Sequence, residues 1–433
     1  MTASALGEPA APRGPGSRIN ALDALRGVAV LGIFTINIIG FSMPGVAFFN
    51  PVAFGGDGAL NYGLWSVMEV YVEGSMRGLF SLMFGAGVIL FTERAAYPDG
   101  PIRIADLYYR RTIWLLIFGL IHGWVLLMPG DILLIYGMAG LVLFPFRLLP
   151  AKYLLLAAAI ILFVLTAWAG IDERAELARG NEAARIEALE EAGATVTDDE
   201  LAALEAWRDD TALPTQDELD DMIAQRTGDP ATVFLSNAEW TASNSSTGGL
   251  SWWVIDAWMM MLLGMAFYKW RIITGDRSVK FYAALLAAGY AVGLSIRIWA
   301  VANRWASDFS VMLWLEWIPF QFARVAMTIG HVGLFFLLWK AFSTSLPMRA
   351  LTAAGRMALS NYIGQTVIAN LIFSGIGLGL YGSLDRTGVY GVMIAIWIAQ
   401  LAFSMWWLAR FRFGPLEWGW RGLTYWKRQP IRL

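Results

Sequence analysis

The sequence holds no cysteine and only two histidines in 433 residues, and charged side chains make up just 15% of it. Without cysteine the chain forms no disulfide, does no thiol chemistry and carries no mark of redox compartment. With no cysteine and two histidines, the common zinc sites have no ligand set, and no metal is expected. The charged fraction is far below the ~25% of soluble domains. What fills the space is apolar: 57% of residues are hydrophobic, 14% aromatic, and the mean hydropathy is +0.54. These residues fall in long runs separated by short charged clusters, the pattern of a chain whose solvent is lipid.

A membrane helix needs about 20 mostly apolar residues. Segments 22–43, 61–92, 110–128, 131–148, 151–170, 251–269, 280–301, 317–341, 352–382 and 388–409 meet that length. The fold expected is all-α, a polytopic membrane helix bundle of about ten transmembrane helices. The second and ninth segments are too long for one straight span and contain glycines and charges, so kinks or partly re-entrant pieces are expected there. The connections alternate in charge. Arg18, then Arg94, Arg103, Arg110 and Arg111, then Arg147 and Lys152, then Lys269, Arg271, Arg277 and Lys280, then Lys340 and Arg349, then the basic C-terminus fall on one side. By the positive-inside rule both termini are cytoplasmic, and the chain reads as a multi-pass protein of a bacterial inner membrane.

Four regions follow: a disordered tail 1–20, a five-helix half 21–170, an acidic extracytoplasmic insert 171–250, and a second five-helix half 251–433 with an interfacial tail rich in Trp, Arg and Lys. The first apolar run lacks a cleavage signal and begins "LDALRG", so it reads as a retained helix. Residues 172–229 hold 18 Asp and Glu against 5 Arg and read as helices. Such a charge run is either a plain solvated insert or a lid or docking surface over the outer mouth of the core. Membrane lipids are the expected surroundings. Topology accounts for the basic residues, so no nucleic acid is expected; self-association into a homo-oligomer is left open.

Ionisable groups inside membrane spans are costly and are candidates for function. In "FGLIHGWVLLMPGDILLIYG", His122 lies twelve residues after Arg110, about 18 Å along a helix, toward the outer side. Asp131 opens the next span at the positive end of its helix dipole. Either His122 bonds a backbone carbonyl and Asp131 merely caps, or His122 is a general base reachable from outside with Asp131 orienting the site. The hairpin is expected to bring residue 122 nearer Tyr136 than Asp131. Glu69, Glu73 and Arg77 are spaced four apart and share one helical face, as a self-neutralising ladder or as the lining of a substrate path. Arg324 and His331 fall on a similar face of a later span, Asp256 lies near the outer end of the sixth, and Arg297 and Glu316 lie in or near the later spans. In "GRMALSNYIGQ", Asn361 and Gln365 can bond across helices or touch substrate. Asp23 with Arg26, and Arg110, Arg111 and Arg356, gather at the cytoplasmic ends of spans. There arginines either anchor the helices or hold phosphates.

The stretches "RINALDALRGVAVLGIFTINI", "GSMRGLFSLMFGAG", "FGLIHGWVLLMPGDILLIYG", "GRMALSNYIGQ" and "GPLEWGWRGLTYWK", in this order over nearly the whole chain, resemble the YeiB-like bacterial membrane proteins, whose C-terminal half is the domain of unknown function DUF418. That family looks like a branch of the transmembrane acyltransferases, together with the acyltransferase-3 proteins and heparan-alpha-glucosaminide N-acetyltransferase. The resemblance implies a ten-helix core, acyl-CoA or acetyl-CoA as cytoplasmic donor, and a small-molecule, glycan or lipid acceptor. Asp23, Arg26 and Gly27 match the "LD-x-x-RG" start. Acyltransferase-3 proteins carry a histidine one helix length later, where this chain has Asn37, and an asparagine side chain is no base. The base is therefore expected from His122, with Asp131 as its partner and Arg77 or Arg324 stabilising the oxyanion. Asp23, Arg26, Arg110, Arg111 and Arg356 are expected to form the donor's site, and Glu69, Glu73, Arg77, Arg324, His331, Asn361 and Gln365 to line the acceptor's path. A transporter or lipid translocase, or a non-catalytic sensor or scaffold, is the alternative.

Overall fold

The structure, a computed structural model, describes residues 19–93, 100–128, 130–244, 247–309 and 317–433. The tail 1–18 with Arg18, and also Arg94 and Glu316, lie outside the described residues. Helices form wherever an apolar run was expected: α1 (Asn20–Ser42), a short α2 (Val46–Phe49), α3 (Ala59–Tyr71), α4 (Ser75–Thr92), α5 (Gly100–Trp124), α6 (Ile132–Leu143) and α7 (Ala151–Glu191). The insert continues with α8 (Asp198–Thr211), α9 (Gln216–Thr227) and α10 (Pro230–Asn244). The second half holds α11 (Thr247–Lys269), α12 (Val279–Ala306), α13 (Trp317–Phe342), α14 (Leu346–Arg356), α15 (Ala358–Phe373), α16 (Arg386–Leu408) and α17 (Pro415–Tyr425). The protein is an all-α polytopic bundle. Among the described residues, seven helical stretches are long and apolar enough to cross a membrane, and Ile132–Leu148 is a shorter apolar one.

Both over-long spans are broken. Between α3 and α4, Gly74 adopts φ +68°, a conformation glycine takes without a Cβ penalty. Between α14 and α15 the break falls at Met357, whose N–H bonds back to Ala353 and Ala354. The first and ninth segments meet directly. A Cβ on Gly27 would collide with the Leu351 carbonyl, and one on Gly355 with the Asp23 carbonyl. Only glycine lets α1 and α14 approach this closely, as at small-residue contacts between membrane helices. Thus "LDALRG" and "GRMALSNYIGQ" form one contact.

The insert is helical as its sequence suggested, yet α7 runs unbroken through 41 residues from the apolar segment into the acidic one. Thr197 and Thr215 cap α8 and α9 with full capping boxes to Glu200 and Glu218. Its two ends differ. Leu204 of α8 packs on Ala183 and Ile186 of α7 in a small separate cluster. In contrast, α9 and α10 dock on the core: the Arg226 carbonyl accepts the Gly375 N–H at 2.9 Å, and Asn237 donates to the Gly123 carbonyl at 3.3 Å.

Candidate active site

Two cavities open at opposite ends of α1, α4 and α5. One, about 190 Å³, lies at the arginine-rich end, lined by Arg26, Arg111, Arg356 and Arg421 at its mouth and by Leu133, Tyr136 and Tyr362 at depth. The other, about 230 Å³, lies at the insert's end, where Asn37, Arg77, Gly119 and Asp131 meet Trp124, Trp240 and Trp253. Alternate residues of α6 serve both: Leu133 and Tyr136 face the first, Ile132 and Ile135 the second.

A buried hydrogen-bonded group forms the wall between them. Asp131 caps α6 by accepting the Leu134 N–H on Oδ2 at 2.9 Å. Its Oδ1 accepts the Tyr362 hydroxyl at 3.1 Å and lies 2.7 Å from His122 Nδ1. His122 Nε2 lies 2.8 Å from Thr366 Oγ1. An ionised carboxylate only accepts, so the ring proton belongs on Nδ1 and Thr366 donates to Nε2. The direct His122–Asp131 contact corrects the expectation that residue 122 would sit nearer Tyr136. The connection is not a tight hairpin: Leu127 and Gly130 take φ +60° and +73°, Met128 N–H bonds back to the His122 carbonyl, and the cap of α6 swings against the ring.

Access is also corrected. His122 was expected to open toward the outside, but it is 0% exposed, both ring nitrogens are engaged, and it lines neither cavity. Asp131 reaches one cavity and Tyr362 the other. His122 therefore touches Asp131 and Thr366 but neither cavity.

The Glu69–Glu73–Arg77 ladder does not exist, because the break at Gly74 rotates α4 away from α3. Glu69 instead pairs with Arg304 at 3.2 Å and Arg297 at 3.6 Å. The Glu73 carbonyl accepts from Arg297, and Arg77 stands 3.8 Å from Asp256. Arg324, wholly buried, pairs with Asp256. His331 bonds the Tyr71 carbonyl through Nε2 at 2.8 Å and the Tyr290 hydroxyl through Nδ1 at 2.8 Å, pinning the end of α3. Asn361 holds the Ala354 carbonyl and Ser404, and Gln365 holds Gln400 and the Val30 carbonyl. These two bond between helices rather than line a cavity. Of the residues expected along the acceptor's path, Arg77 alone lines one of the two cavities.

At the arginine-rich end, Arg26 pairs with Asp23 at 3.0 Å, and Arg111 stacks on Trp420 at 4.0 Å and Phe91 at 5.3 Å. Arg110 points elsewhere, to Asp106 at 2.8 Å and to Trp426. Glu417 of α17 caps α15 from outside, accepting the Leu359 and Ser360 N–H groups and the Ser360 hydroxyl at 2.7, 3.1 and 2.6 Å. Burial pushes its carboxyl above the usual range, against the pull of those donors. So the tail expected at the interface roofs this cavity, with Trp420 N–H held by the Arg111 carbonyl.

Sequence reasoning missed Tyr362, Thr366, Tyr136 and Glu417. Tyr362 lies inside the motif "GRMALSNYIGQ" and Thr366 directly follows it, four residues on, on the face of α15 toward α5 and α6; that spacing was the available signal.

Residues 267–427 match the family described as protein of unknown function DUF418. Over 406 residues the chain is 29% identical to the uncharacterized protein YeiB of Escherichia coli (strain K12), covering 93% of this chain and 95% of that one. It is 29% identical over 420 residues to the uncharacterized protein YxaH of Bacillus subtilis (strain 168), covering 96% of each. An uncharacterized 39.9 kDa protein of Bacillus acidopullulyticus is 26% identical over 438 residues. The matched domain contains Tyr362, Thr366, Arg356 and Glu417, while His122 and Asp131 lie before it.

Proposed function

Because the chain is a YeiB-like membrane protein with a DUF418 domain, we propose from that premise that it is a bacterial inner-membrane acyltransferase. It takes an acyl group from cytoplasmic acyl-CoA and passes it to an extracytoplasmic or membrane acceptor. The positive-inside rule makes the arginine-rich end cytoplasmic and the insert's end external. The observation that carries the reading is the Asp131–Tyr362 hydrogen bond, with Asp131 in the outer cavity and Tyr362 in the cytoplasmic one.

Acyl-CoA, as substrate, leaves its phosphates at Arg26, Arg111 and Arg356, where guanidinium forks suit them. The cavity behind, about 190 Å³, suits a slender pantetheine arm and the acyl end. The thioester must reach the wall at Tyr362. The acceptor hydroxyl or amine gives its proton to Asp131 as its oxygen or nitrogen bonds the acyl carbon. The C–S bond breaks, the leaving thiolate takes the proton of Tyr362, and Tyr362 recovers one from Asp131 through their hydrogen bond. Atoms and charge balance with no further reactant. His122, held by Thr366, fixes the carboxylate with a hydrogen bond from Nδ1.

A transporter reading draws on the Glu69–Arg77 ladder, two histidines near the midplane and kinked long spans. The ladder is divided and both rings are engaged; the breaks at Gly74 and Met357 are what supports it. Isothermal calorimetry of the protein in nanodiscs tests the proposal. Coenzyme A and acetyl-CoA are expected to bind, and Arg111→Ala to weaken both; no heat from folded protein counts against it.

A further inference from the structure

Arg77 is badly served by its surroundings. Its Nε lies 3.8 Å from Asp256 Oδ2, beyond hydrogen-bond reach, and is buried without an acceptor among the described residues. Asp256 is committed elsewhere, to the guanidinium of Arg324, which Gln321 also holds. Two guanidiniums thus share one carboxylate, and these three groups carry one net positive charge. An arginine so placed is costly unless an anion completes it. Arg77 also stacks on Trp253 at 4.3 Å and lines the outer cavity, with Asn37 and Trp124 on other walls. Apolar aromatic walls with a few convergent polar groups are the make-up of a small-molecule site.

We infer that the outer cavity binds an anionic ring compound, a sugar bearing a carboxylate or a phosphate, whose charge meets Arg77 while its ring packs against Trp253 and Trp124. This deepens the acceptor side of the proposed reaction and rests on that reading for the word acceptor. The binding itself does not, since it requires no donor.

The test is equilibrium binding to the full-length protein in nanodiscs without any acyl-CoA. Glucuronate, glucose 6-phosphate, glucose and inorganic phosphate serve as separate probes. The expected result is binding of glucuronate or glucose 6-phosphate, with glucose and phosphate alone about tenfold weaker or more, the scale of one charge-assisted hydrogen bond. Whichever charged sugar binds identifies carboxylate or phosphate as the partner. Arg77→Gln, with its melting temperature checked, is expected to lose that preference, and Arg77→Lys to keep part of it. Three results overturn the inference: glucose binding as well as the charged sugars, Arg77→Gln binding them unchanged, or none of the sugars binding at millimolar concentration. Phosphate binding as tightly as glucose 6-phosphate would reduce the site to an adventitious ion only and overturn it too. Failure here leaves CoA binding intact, and failure of CoA binding leaves this titration readable.

Discussion

The hydroxyl of Tyr362 donates to Oδ1 of Asp131 at 3.1 Å, joining two helices whose residues lie far apart in the chain and two cavities that lie at opposite ends of the bundle. The phenol lines one cavity and the carboxylate the other, so in the proposed reaction a proton passed between them goes from one cavity to the other. The first prediction follows. Tyr362→Phe keeps the ring in place and removes only the hydroxyl, so kcat for acceptor-dependent CoA release falls at least ~100-fold, the scale of one acid–base group, while KM for acetyl-CoA holds. Equal loss of kcat and donor affinity would place Tyr362 in donor binding instead.

His122 is predicted to matter for stability before chemistry. Removing it leaves a buried carboxylate short of its closest hydrogen-bond donor, a change that costs about 1.5–3 kcal/mol. His122→Ala is therefore expected to lower the thermal midpoint in detergent sharply. Thr366→Val, which removes only the outer hydrogen bond, is expected to cost about 1 kcal/mol. Thermal unfolding of the two variants beside wild type checks the order.

Gly355 lies under the Asp23 carbonyl with no room for a methyl group. Gly355→Ala must push α14 from α1, at a cost of about 1–3 kcal/mol. Because Arg26 and Arg356 flank this contact at the arginine-rich cavity, CoA affinity should fall with it. Gly391, where a Cβ meets open space, is the control: Gly391→Ala should leave both unchanged.

In the insert, the Thr197 N–H, the Arg185 guanidinium and the Thr197 hydroxyl together hold the Glu200 carboxyl down to about 2. A carboxyl depressed in the folded state stabilises it above the ordinary range and loses that contribution as pH falls through the folded value. The α8 cap is therefore expected to hold at pH 5 and to loosen as pH drops toward 2. Amide exchange at residues 197–200 measures this. Glu200→Gln should give the loosened cap at neutral pH.

The helices were legible because hydrocarbon thickness fixes the length of an apolar run, and "FGLIHGWVLLMPGDILLIYG" stood out because each polar group within it is expensive. The partners were not legible. Asp256 and Arg324 pair across 68 positions, which no local period encodes. The Glu69–Arg77 ladder failed because helical spacing predicts a shared face only while the helix continues, and α3 ends at Tyr71, with Gly74 turning the chain into α4. Tyr362 was passed over because the amides of Asn361 and Gln365 beside it read as the polar groups of that helix, and a tyrosine reads as filler until its hydroxyl finds a carboxylate. The insert's role split for a similar reason: α7 and α8 behave as a solvated charge run, while Trp240 of α10 lines the outer cavity.

The most direct measurement is release of CoA thiol from acetyl-CoA, followed with a thiol-reactive dye on protein in nanodiscs; the chain has no cysteine to add background. Bacterial membrane glycan and lipid extract serves as the acceptor source. The account predicts release that needs the extract, survives Arg110→Ala, and disappears in Asp131→Asn and Tyr362→Phe. Release that continues undiminished in both of those variants, or none at all from folded protein that binds CoA, would contradict it.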